Sequence, residues 1–385
     1  MTWVIAALIL GAIVVRPLRI NEAVWAVIGA IALVSLRLVS VRGAGHALAS
    51  GLDVYCFLIG MMALAGFAGV EGVFTWLAAR AVELSRGSRA RLFTLVYGVG
   101  IFTTAFLSND ATIVVLTPAV IDAVTRLDLK PLPYLYACAL IANAASFLLP
   151  ISNPSNLLVF AGGTPQLAQW LRYLLVPSIA SIVLTFGALY LACRRDLRGT
   201  AHVEQTEATP APHWYASAVL SFAAVVLVVV SSRGGPLGFA TLGCALLALL
   251  VSMATNRRAP LHIARGMSWS IVPLTAALFV VVAALDRAGA LAATRELFLH
   301  TQPFVTGLVV ALASNVVNNL PVGLNVGQAI ARAHPTLQHA YAALVGVNLG
   351  PNFSTNGSLA TILWHRSCAA RKSSSRRWSF CGSAC

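Results

Sequence analysis

The sequence predicts an all-α polytopic membrane protein built from two inverted repeats, each with a re-entrant hairpin and a broken transmembrane helix. Three observations predict this fold class. Only 10% of the 385 residues are charged and 58% are hydrophobic, whereas a soluble domain carries about 25% charged residues. Apolar stretches close to the roughly 20 residues that cross a bilayer recur along the chain. Two of the longest stretches are interrupted by polar residues near their middle, one in each half.

Most of the apolar stretches are predicted to cross the membrane as single spans. They lie near residues 3–15, 22–40, 53–70, 132–162, 171–193, 214–231, 236–254, 269–286 and 336–365. The stretch at 3–15 has no basic segment before it and no small-residue cleavage site after it, which favours a retained helix over a signal peptide.

Two further apolar stretches, 91–125 and 303–332, are too long for one simple helix. The interrupting residues are Ser108-Asn109-Asp110 in the first and Ser314-Asn315 with Asn318-Asn319 in the second. Backbone groups at such a break have no partners in lipid, so the break must line a cavity inside the protein. We therefore predict two re-entrant hairpins whose tips meet inside the protein. An alternative in which the hairpin legs are complete spans stays open.

The distribution of basic residues predicts the orientation. With the spans above and two hairpins that return to their own side, the N-terminus is outside and the C-terminus inside. Of the 26 Lys and Arg residues, only seven then lie in the outer segments: Arg37, Arg42, Arg172, Arg233, Arg287, Arg295 and Arg332. This excess of basic residues on the cytoplasmic side agrees with the rule for membrane proteins. It also explains the net charge of +14 better than nucleic-acid binding, because no basic run is interleaved with aromatic residues.

The chain divides into two halves of similar order. Residues 1–193 form the first half and 214–365 the second, and the polar segment 194–213 is predicted to be a cytoplasmic linker. In each half a span, a glycine turn and an amphipathic stretch precede the hairpin, and Ser108-Asn109 is matched with Ser314-Asn315. By the predicted topology the halves lie on opposite sides of the membrane.

A broken span follows each hairpin. The first, 132–162, contains SNPSN (152–156), and the second, 336–365, contains GPNFSTNGS (350–358). Proline prevents a continuous helix, so carbonyl groups are freed that a polar solute or ion can engage. Paired interruptions in two halves are the best sequence indication of a transporter's binding site. The alternative is a kinked helix whose freed groups are satisfied by neighbouring side chains.

Asp110 is the only acidic residue in the middle of an apolar segment of the first half. An ionisable residue at membrane depth is costly and is functional by default. Burial disfavours the charged form of a carboxyl group, which makes Asp110 a candidate proton carrier. The alternative role is that of an N-terminal cap for the helix that follows.

The sequence offers no motif of an enzyme. It has no metal-ligand spacing, no nucleophile elbow and no phosphate loop, so we predict no cofactor, no metal and no ATP hydrolysis by this chain. Its seven Cys residues form no CxxC pair and indicate neither a metal site nor a disulfide framework.

Four motifs resemble one known family. TAFLSNDATIVVLTPAV (104–120), SNPSNLLV (152–159), ASNVVNNLP (313–321) and GVNLGPNFSTNGSLATILW (346–364) are similar to segments of the arsenite efflux permeases of arsenical resistance operons. That family belongs to the ion-transporter superfamily, which includes sodium/dicarboxylate symporters and sodium/proton antiporters. The resemblance implies export of arsenite and antimonite through the bacterial inner membrane in exchange for protons. It also implies that a soluble arsenite-stimulated ATPase associates in some systems, and it leaves a homodimer open.

The resemblance also implies a central substrate site. Its residues would be Ser108, Asn109, Asp110, Asn153, Asn156, Ser314, Asn315, Asn318, Asn319, Asn352 and Asn356. Dicarboxylate symporters of the superfamily carry Ser-Asn-Thr at both tips, whereas Asp110 would repel a dianion by several kcal/mol in a site of low dielectric constant. A neutral hydroxide such as arsenous acid, or a cation, suits the site better.

The end of the sequence departs from the family, which continues with a loop and a final span. Residues 366–385 are rich in Ser, Arg and Cys and have the character of a frameshifted end. Two alternatives to arsenite export therefore stay open: a sodium/proton antiporter or anion symporter of the same superfamily, and a truncated copy that does not transport.

Overall fold

The computed structural model describes residues 2–15, 20–200, 210–256 and 258–353. Within these ranges the chain is helical and contains no β-strand, apart from one isolated bridge between Ser88 and Thr200. The prediction of an all-α membrane protein is confirmed.

The first half consists of short and long helices joined by tight turns. They are α1 (Thr2–Val15), α2 (Glu22–Ser35), α3 (Val41–Ser50), α4 (Leu52–Val70), α5 (Val73–Ser85), α6 (Arg89–Leu107), α7 (Asn109–Ala111), a π-helical turn (Thr112–Leu116), α8 (Thr117–Arg126), α9 (Leu132–Ala144), a 3₁₀ turn (Pro150–Ser152), α10 (Pro154–Val159) and α11 (Leu167–Cys193).

The second half has the same character as far as the structure describes it. Its elements are α12 (Trp214–Ser232), α13 (Leu237–Thr255), α14 (Ala259–Gly266), α15 (Ile271–Arg287), α16 (Ala290–His300), α17 (Pro303–Val317), α18 (Asn319–Ala333), α19 (Leu337–Leu349) and a 3₁₀ turn (Gly350–Phe353).

Among the described residues, five helices are long and apolar enough to cross a membrane: α4, α6, α11, α12 and α13. Helices α14 and α15 meet at an angle of 41° and would together make a sixth, broken span. Several predicted single spans are shorter helices in the structure, because the chain turns earlier than the apolar stretch ends. The stretch 22–40, for example, is helical only to Ser35.

The two halves repeat one order of elements, α4 to α9 in the first and α15 to α19 in the second. The turn before the amphipathic helix has a left-handed glycine in both halves, Gly72 (φ 74°) and Gly289 (φ 88°). The turn between the hairpin legs also has a positive φ in both, at Ser108 (φ 82°) and Asn318 (φ 102°). This shared order supports the predicted repeats, while their inverted orientation stays a prediction.

The second hairpin turns later in the chain than the sequence predicts. Ser314 and Asn315 lie inside α17, one helical turn before the chain reverses at Asn318. The counterpart of Ser108-Asn109 is therefore Asn318-Asn319. Residues other than glycine rarely adopt a positive φ, and Asn is enriched among those that do. Asn318 is therefore well suited to the chain reversal.

Close packing around glycine holds the second hairpin against its neighbours. A Cβ atom on Gly346 of α19 would collide with the carbonyl oxygen of Gly307 on α17. A Cβ atom on Gly327 of α18 would collide with the carbonyl oxygen of Leu158 on α10. Small residues let membrane helices approach to this distance, and here they bring the second hairpin against the broken span of the first half.

Candidate functional site

Asn348, near the end of α19, is the centre of a buried hydrogen-bond network. Its Oδ1 atom accepts from Ser146 Oγ at 2.7 Å and from Asn153 Nδ2 at 2.8 Å. Its Nδ2 atom donates to Asn156 Oδ1 at 3.0 Å and to the carbonyl of Leu344 at 2.9 Å. Each of these side-chain amides is at most 1% exposed. The network therefore joins the broken span of the first half to the end of α19 in the second.

The side chain of Asn156 contacts carbonyl groups that the break in the first span leaves without helical partners. Its Nδ2 atom lies 2.8 Å from the carbonyl of Ser146, 3.2 Å from that of Leu149 and 3.3 Å from that of Pro150. Asn153 is the N-cap of α10, because its Oδ1 atom accepts from the backbone N–H of Ser155 at 2.9 Å. Such a side-chain cap replaces a missing helical bond.

Two of the predicted site residues, Asn153 and Asn156, are therefore engaged by protein groups in this arrangement, and a role for them in substrate binding stays a prediction. The polar atoms of Asn153 and Asn156 already have protein partners, and the two N–H groups of Asn156 are shared among three freed carbonyls. The sequence favours a solute as the partner of these groups, with neighbouring side chains as the alternative. In this structure the side chain of Asn156 is a neighbour that contacts them.

The hairpin tips contain buried oxygen atoms that have no hydrogen-bond partner among the described residues. They are the Oδ1 atoms of Asn109 and Asn319. Asn109 is 2% exposed and Asn319 is 3% exposed, and each directly follows the residue of positive φ at its tip. An unsatisfied buried polar group costs about 1–3 kcal/mol, so a ligand that donates a hydrogen bond to these oxygens would gain that energy. Ser155 Oγ on α10 is likewise buried and unpartnered within the described ranges.

The other residues of the second tip have local roles. Asn318 Oδ1 accepts from the backbone N–H of Leu320 at 3.1 Å and so caps α18. Ser314 Oγ is buried without a partner among the described residues, and Asn315 is half-buried in α17. The structure therefore places Ser314 and Asn315 beside the tip rather than at it.

Asp110 lines a cavity of about 300 Å³ between α4, α14 and the first hairpin. Its polar lining consists of Ser108, Asp110, His262 and Ser268, and the rest is apolar, with no Lys or Arg. The lining of the cavity therefore brings Asp110 of the first hairpin and His262 of α14 to one space.

A helical irregularity follows Asp110 directly. The helix widens into a π turn over Thr112–Leu116, and Thr117 Oγ1 donates to the carbonyl of Thr112 at 2.9 Å. Thr112 Oγ1 also lies 2.8 Å from Thr104 Oγ1 on the other hairpin leg. Turns of this kind occur often at functional sites. Here the threonine pair ties the two legs together just below the tip.

The first hairpin is also attached to the break. Ser152 Oγ donates to the carbonyl of Ala105 at 3.1 Å and accepts from the backbone N–H of Leu149 at 3.2 Å. The tip and the 3₁₀ turn are therefore held side by side.

A second cavity, of about 310 Å³, flanks the second hairpin between α1, α15 and α16. Asn325 on α18 lines it and accepts at Oδ1 from Thr294 Oγ1 at 2.8 Å. Its lining also lacks Lys and Arg.

The remaining predicted site residues lie at or beyond the edge of the described chain. Asn352 accepts at Oδ1 from Asn143 Nδ2 at 2.9 Å, and Asn356 lies outside the described residues. Asn143, Ser146 and Asn348 take part in these hydrogen bonds but are not among the predicted site residues. The signal that identifies them is polar residues in the otherwise apolar run just before the break. Among the described residues, no group of three or more His, Cys, Asp or Glu side chains is placed to hold a metal ion.

Comparison with known proteins gives the class of this molecule. The family described as "CitMHS: Citrate transporter" matches residues 4–347. The arsenical pump membrane protein of Yersinia enterocolitica is 29% identical over 320 residues, which cover 76% of this chain and 73% of that protein. The arsenical pump membrane protein of Escherichia coli (strain K12) is 29% identical over 321 residues, with the same coverage of 76% and 73%. A putative arsenical pump membrane protein of Bacillus subtilis (strain 168) is 22% identical over 392 residues, covering 91% and 87%.

These relatives confirm the resemblance predicted from the four motifs. The family match extends over most of the chain, and the helices described above give it the architecture of a multi-pass membrane protein. The chain belongs to the citrate-transporter family of membrane transporters.

Proposed function

We propose that this chain exports arsenite and antimonite across the bacterial inner membrane in exchange for protons. The observation that carries the proposal is the first hairpin tip, where Asp110 lines a cavity without Lys or Arg and the neighbouring Asn109 has an unpartnered, buried acceptor oxygen. The relatives described as arsenical pump membrane proteins support the choice of substrate.

The chemistry of the free atoms favours a hydroxylated solute. The unpartnered atoms of Asn109 and Asn319 are amide oxygens, which accept hydrogen bonds and do not donate them. Arsenous acid is a neutral hydroxide whose O–H groups are donors. An O–H group of this solute would satisfy such an oxygen without placing a charge in a site of low dielectric constant.

The same chemistry disfavours citrate, although the family is named after it. A citrate anion carries several carboxylates and needs cationic partners when it leaves water. Neither cavity has a Lys or Arg in its lining, and Asp110 would repel the anion.

Asp110 is the proposed carrier of the coupled proton. It is half-buried at the tip and lines the cavity next to α14, and the predicted topology makes α14 cytoplasmic. For exchange, the carboxyl group takes up a proton from outside and releases it into this cavity as the metalloid moves outward. An ionisable group in this position has the access that such a relay needs.

Everted membrane vesicles test the proposal, because export from the cell becomes uptake into the vesicle. With an imposed proton gradient, the parent protein should accumulate arsenite, and the Asp110→Asn variant should lose at least about tenfold in rate. Asp128→Asn is a matched control, since Asp128 is an exposed carboxylate at the base of the same hairpin. Equal gradient-driven transport by the parent and Asp110→Asn would rule out the coupling role.

A sodium/proton antiporter is the second candidate, because amide oxygens also coordinate hard cations. Sodium-driven transport without arsenite transport would favour it. A soluble arsenite-stimulated ATPase partner and a homodimer stay predictions from the resemblance.

A further inference from the structure

Three separate chain segments meet at one end of the first hairpin. The segment after α11 crosses the start of α6, where the backbone N–H of Arg89 donates to the carbonyl of Gly199 at 3.5 Å. It also meets the turn before α9, where Lys130 Nζ lies 2.8 Å from Asp196 Oδ1. Leu197 is only 3% exposed and packs in the same apolar cluster as Leu92 and Leu129. The segment is therefore fixed across the base of the hairpin.

This arrangement collects arginines that are distant in sequence. We call the following exposed residues the basic patch: Arg86, Arg91, Arg126, Arg194, Arg195 and Arg198. Two nearby carboxylates are already engaged, Glu83 with Arg80 at 2.6 Å and Asp196 with Lys130. Even with Asp122 and Asp128 included, basic side chains outnumber acidic ones here. The patch therefore carries a net positive charge among the described residues.

The patch lies at the ends of two helices that are candidates for membrane spans. Helix α6 begins at Arg89 and α11 ends at Cys193, and both are long and apolar enough to cross the membrane. Large apolar side chains adjoin the patch and are exposed, Leu84 at 63% and Leu191 at 64%. Trp76 lies against the guanidinium of Arg80, 5.7 Å from its ring centroid, as is common for tryptophan at a membrane interface.

We propose that the basic patch binds the phosphate groups of an anionic phospholipid, whose acyl chains lie along the exposed leucines. Arginine forms paired hydrogen bonds with phosphate, and basic sites at the cytoplasmic ends of membrane helices bind such headgroups. An acidic soluble protein would match the charge alone, whereas the exposed leucines beside the arginines match a lipid. Since the patch joins the base of the first hairpin to the end of α11, a bound lipid would brace these elements.

The test uses the full-length protein in neutral detergent and measures thermal stability and lipid retention by native mass spectrometry. Added phosphatidylglycerol should raise the melting temperature and remain bound, and phosphatidylcholine should not. The variant Arg91→Gln/Arg194→Gln/Arg198→Gln should bind phosphatidylglycerol at least about tenfold more weakly, because each basic residue contributes up to about a factor of five. Replacement of the same residues by Lys should restore most of the binding.

The matched control variant removes the same number of positive charges from residues outside the basic patch. The variant Arg42→Gln/Arg233→Gln/Arg295→Gln changes exposed arginines that the topology places on the outer side, and it should bind phosphatidylglycerol as the parent does. Equal losses in the two triple variants would overturn the proposal, as would unchanged binding in the patch variant. Equal stabilisation by inorganic phosphate would show a bare anion site and overturn it as well. If the glutamine variant does not fold, the parent protein alone tests the proposal. Equal retention of the two lipids by the parent would overturn it. Phosphatidylglycerol binding that does not change with salt concentration would also overturn it.

Discussion

Asn153 and Asn348 are 195 positions apart in the sequence, yet Asn153 Nδ2 donates a hydrogen bond to Asn348 Oδ1 at 2.8 Å. This bond connects the N-cap of α10 in the first half to the end of α19 in the second. Both side chains are buried, so the bond is not exchanged for one to water. Among the described residues, the break of the first half is therefore joined to the end of α19 by uncharged polar side chains.

We expect Asn348→Ala to destabilise the protein strongly. The substitution leaves Ser146, Asn153 and Asn156 each without one partner, and a buried unsatisfied group costs about 1–3 kcal/mol. The total loss should be about 3 kcal/mol or more, measured as a fall in melting temperature and in the midpoint of denaturant unfolding in detergent.

Asn325→Ala is the control for this prediction, because Asn325 has a single side-chain partner, Thr294. The Asn325→Ala variant should lose about 1 kcal/mol of unfolding free energy. Equal losses for the two variants would contradict the central role of Asn348.

The tip amides should behave differently from the network. Asn109→Ala and Asn319→Ala remove buried oxygens that have no partner among the described residues, so the melting temperature should stay the same or rise. Binding of antimonite should weaken about tenfold for each, the equivalent of one lost hydrogen bond of about 1.4 kcal/mol. Substrate-dependent stabilisation of the purified protein measures both quantities. A loss of stability as large as that of Asn348→Ala would show that the tips are structural instead.

The cavity beside Asp110 should open to the cytoplasm. In a background with the native Cys residues replaced by Ser, Ser268→Cys should react with a membrane-impermeant thiol reagent in everted vesicles. Thr294→Cys, which lines the second cavity, is the matched probe and should react only in right-side-out vesicles or cells. Labelling of both positions from the same side would contradict the inverted topology.

Gly346 should tolerate no side chain. In Gly346→Ala the new Cβ atom would meet the backbone of Gly307 and Ala311, which cannot move as a flexible side chain would. Overpacking of this kind costs about 1–3 kcal/mol, and the unfolding midpoint should fall accordingly. Gly98→Ala is the control, because nothing lies within 4 Å of a Cβ atom there. It should be neutral or stabilising, since alanine favours a helix by about 1 kcal/mol over glycine.

Some features of this protein follow from residue chemistry that acts locally. The scarcity of charge and the length of the apolar stretches specify membrane helices, because charged groups and open backbone are too costly in lipid. Pro150 and Pro154 specify a break, because proline lacks the N–H that a continuous helix needs. Both features are present in the structure where the sequence predicts them.

The hydrogen-bond partners of each amide depend on contacts between distant segments. Asn109, Asn156 and Asn319 have the same side chain, and each lies in a short polar cluster that interrupts an apolar stretch, so that local pattern does not separate them. Folding brings Asn348 and three freed carbonyls to Asn156, whereas it brings no described partner to the oxygens of Asn109 and Asn319. A hydrogen bond needs its two atoms within about 3 Å, and that distance is fixed by how the halves pack.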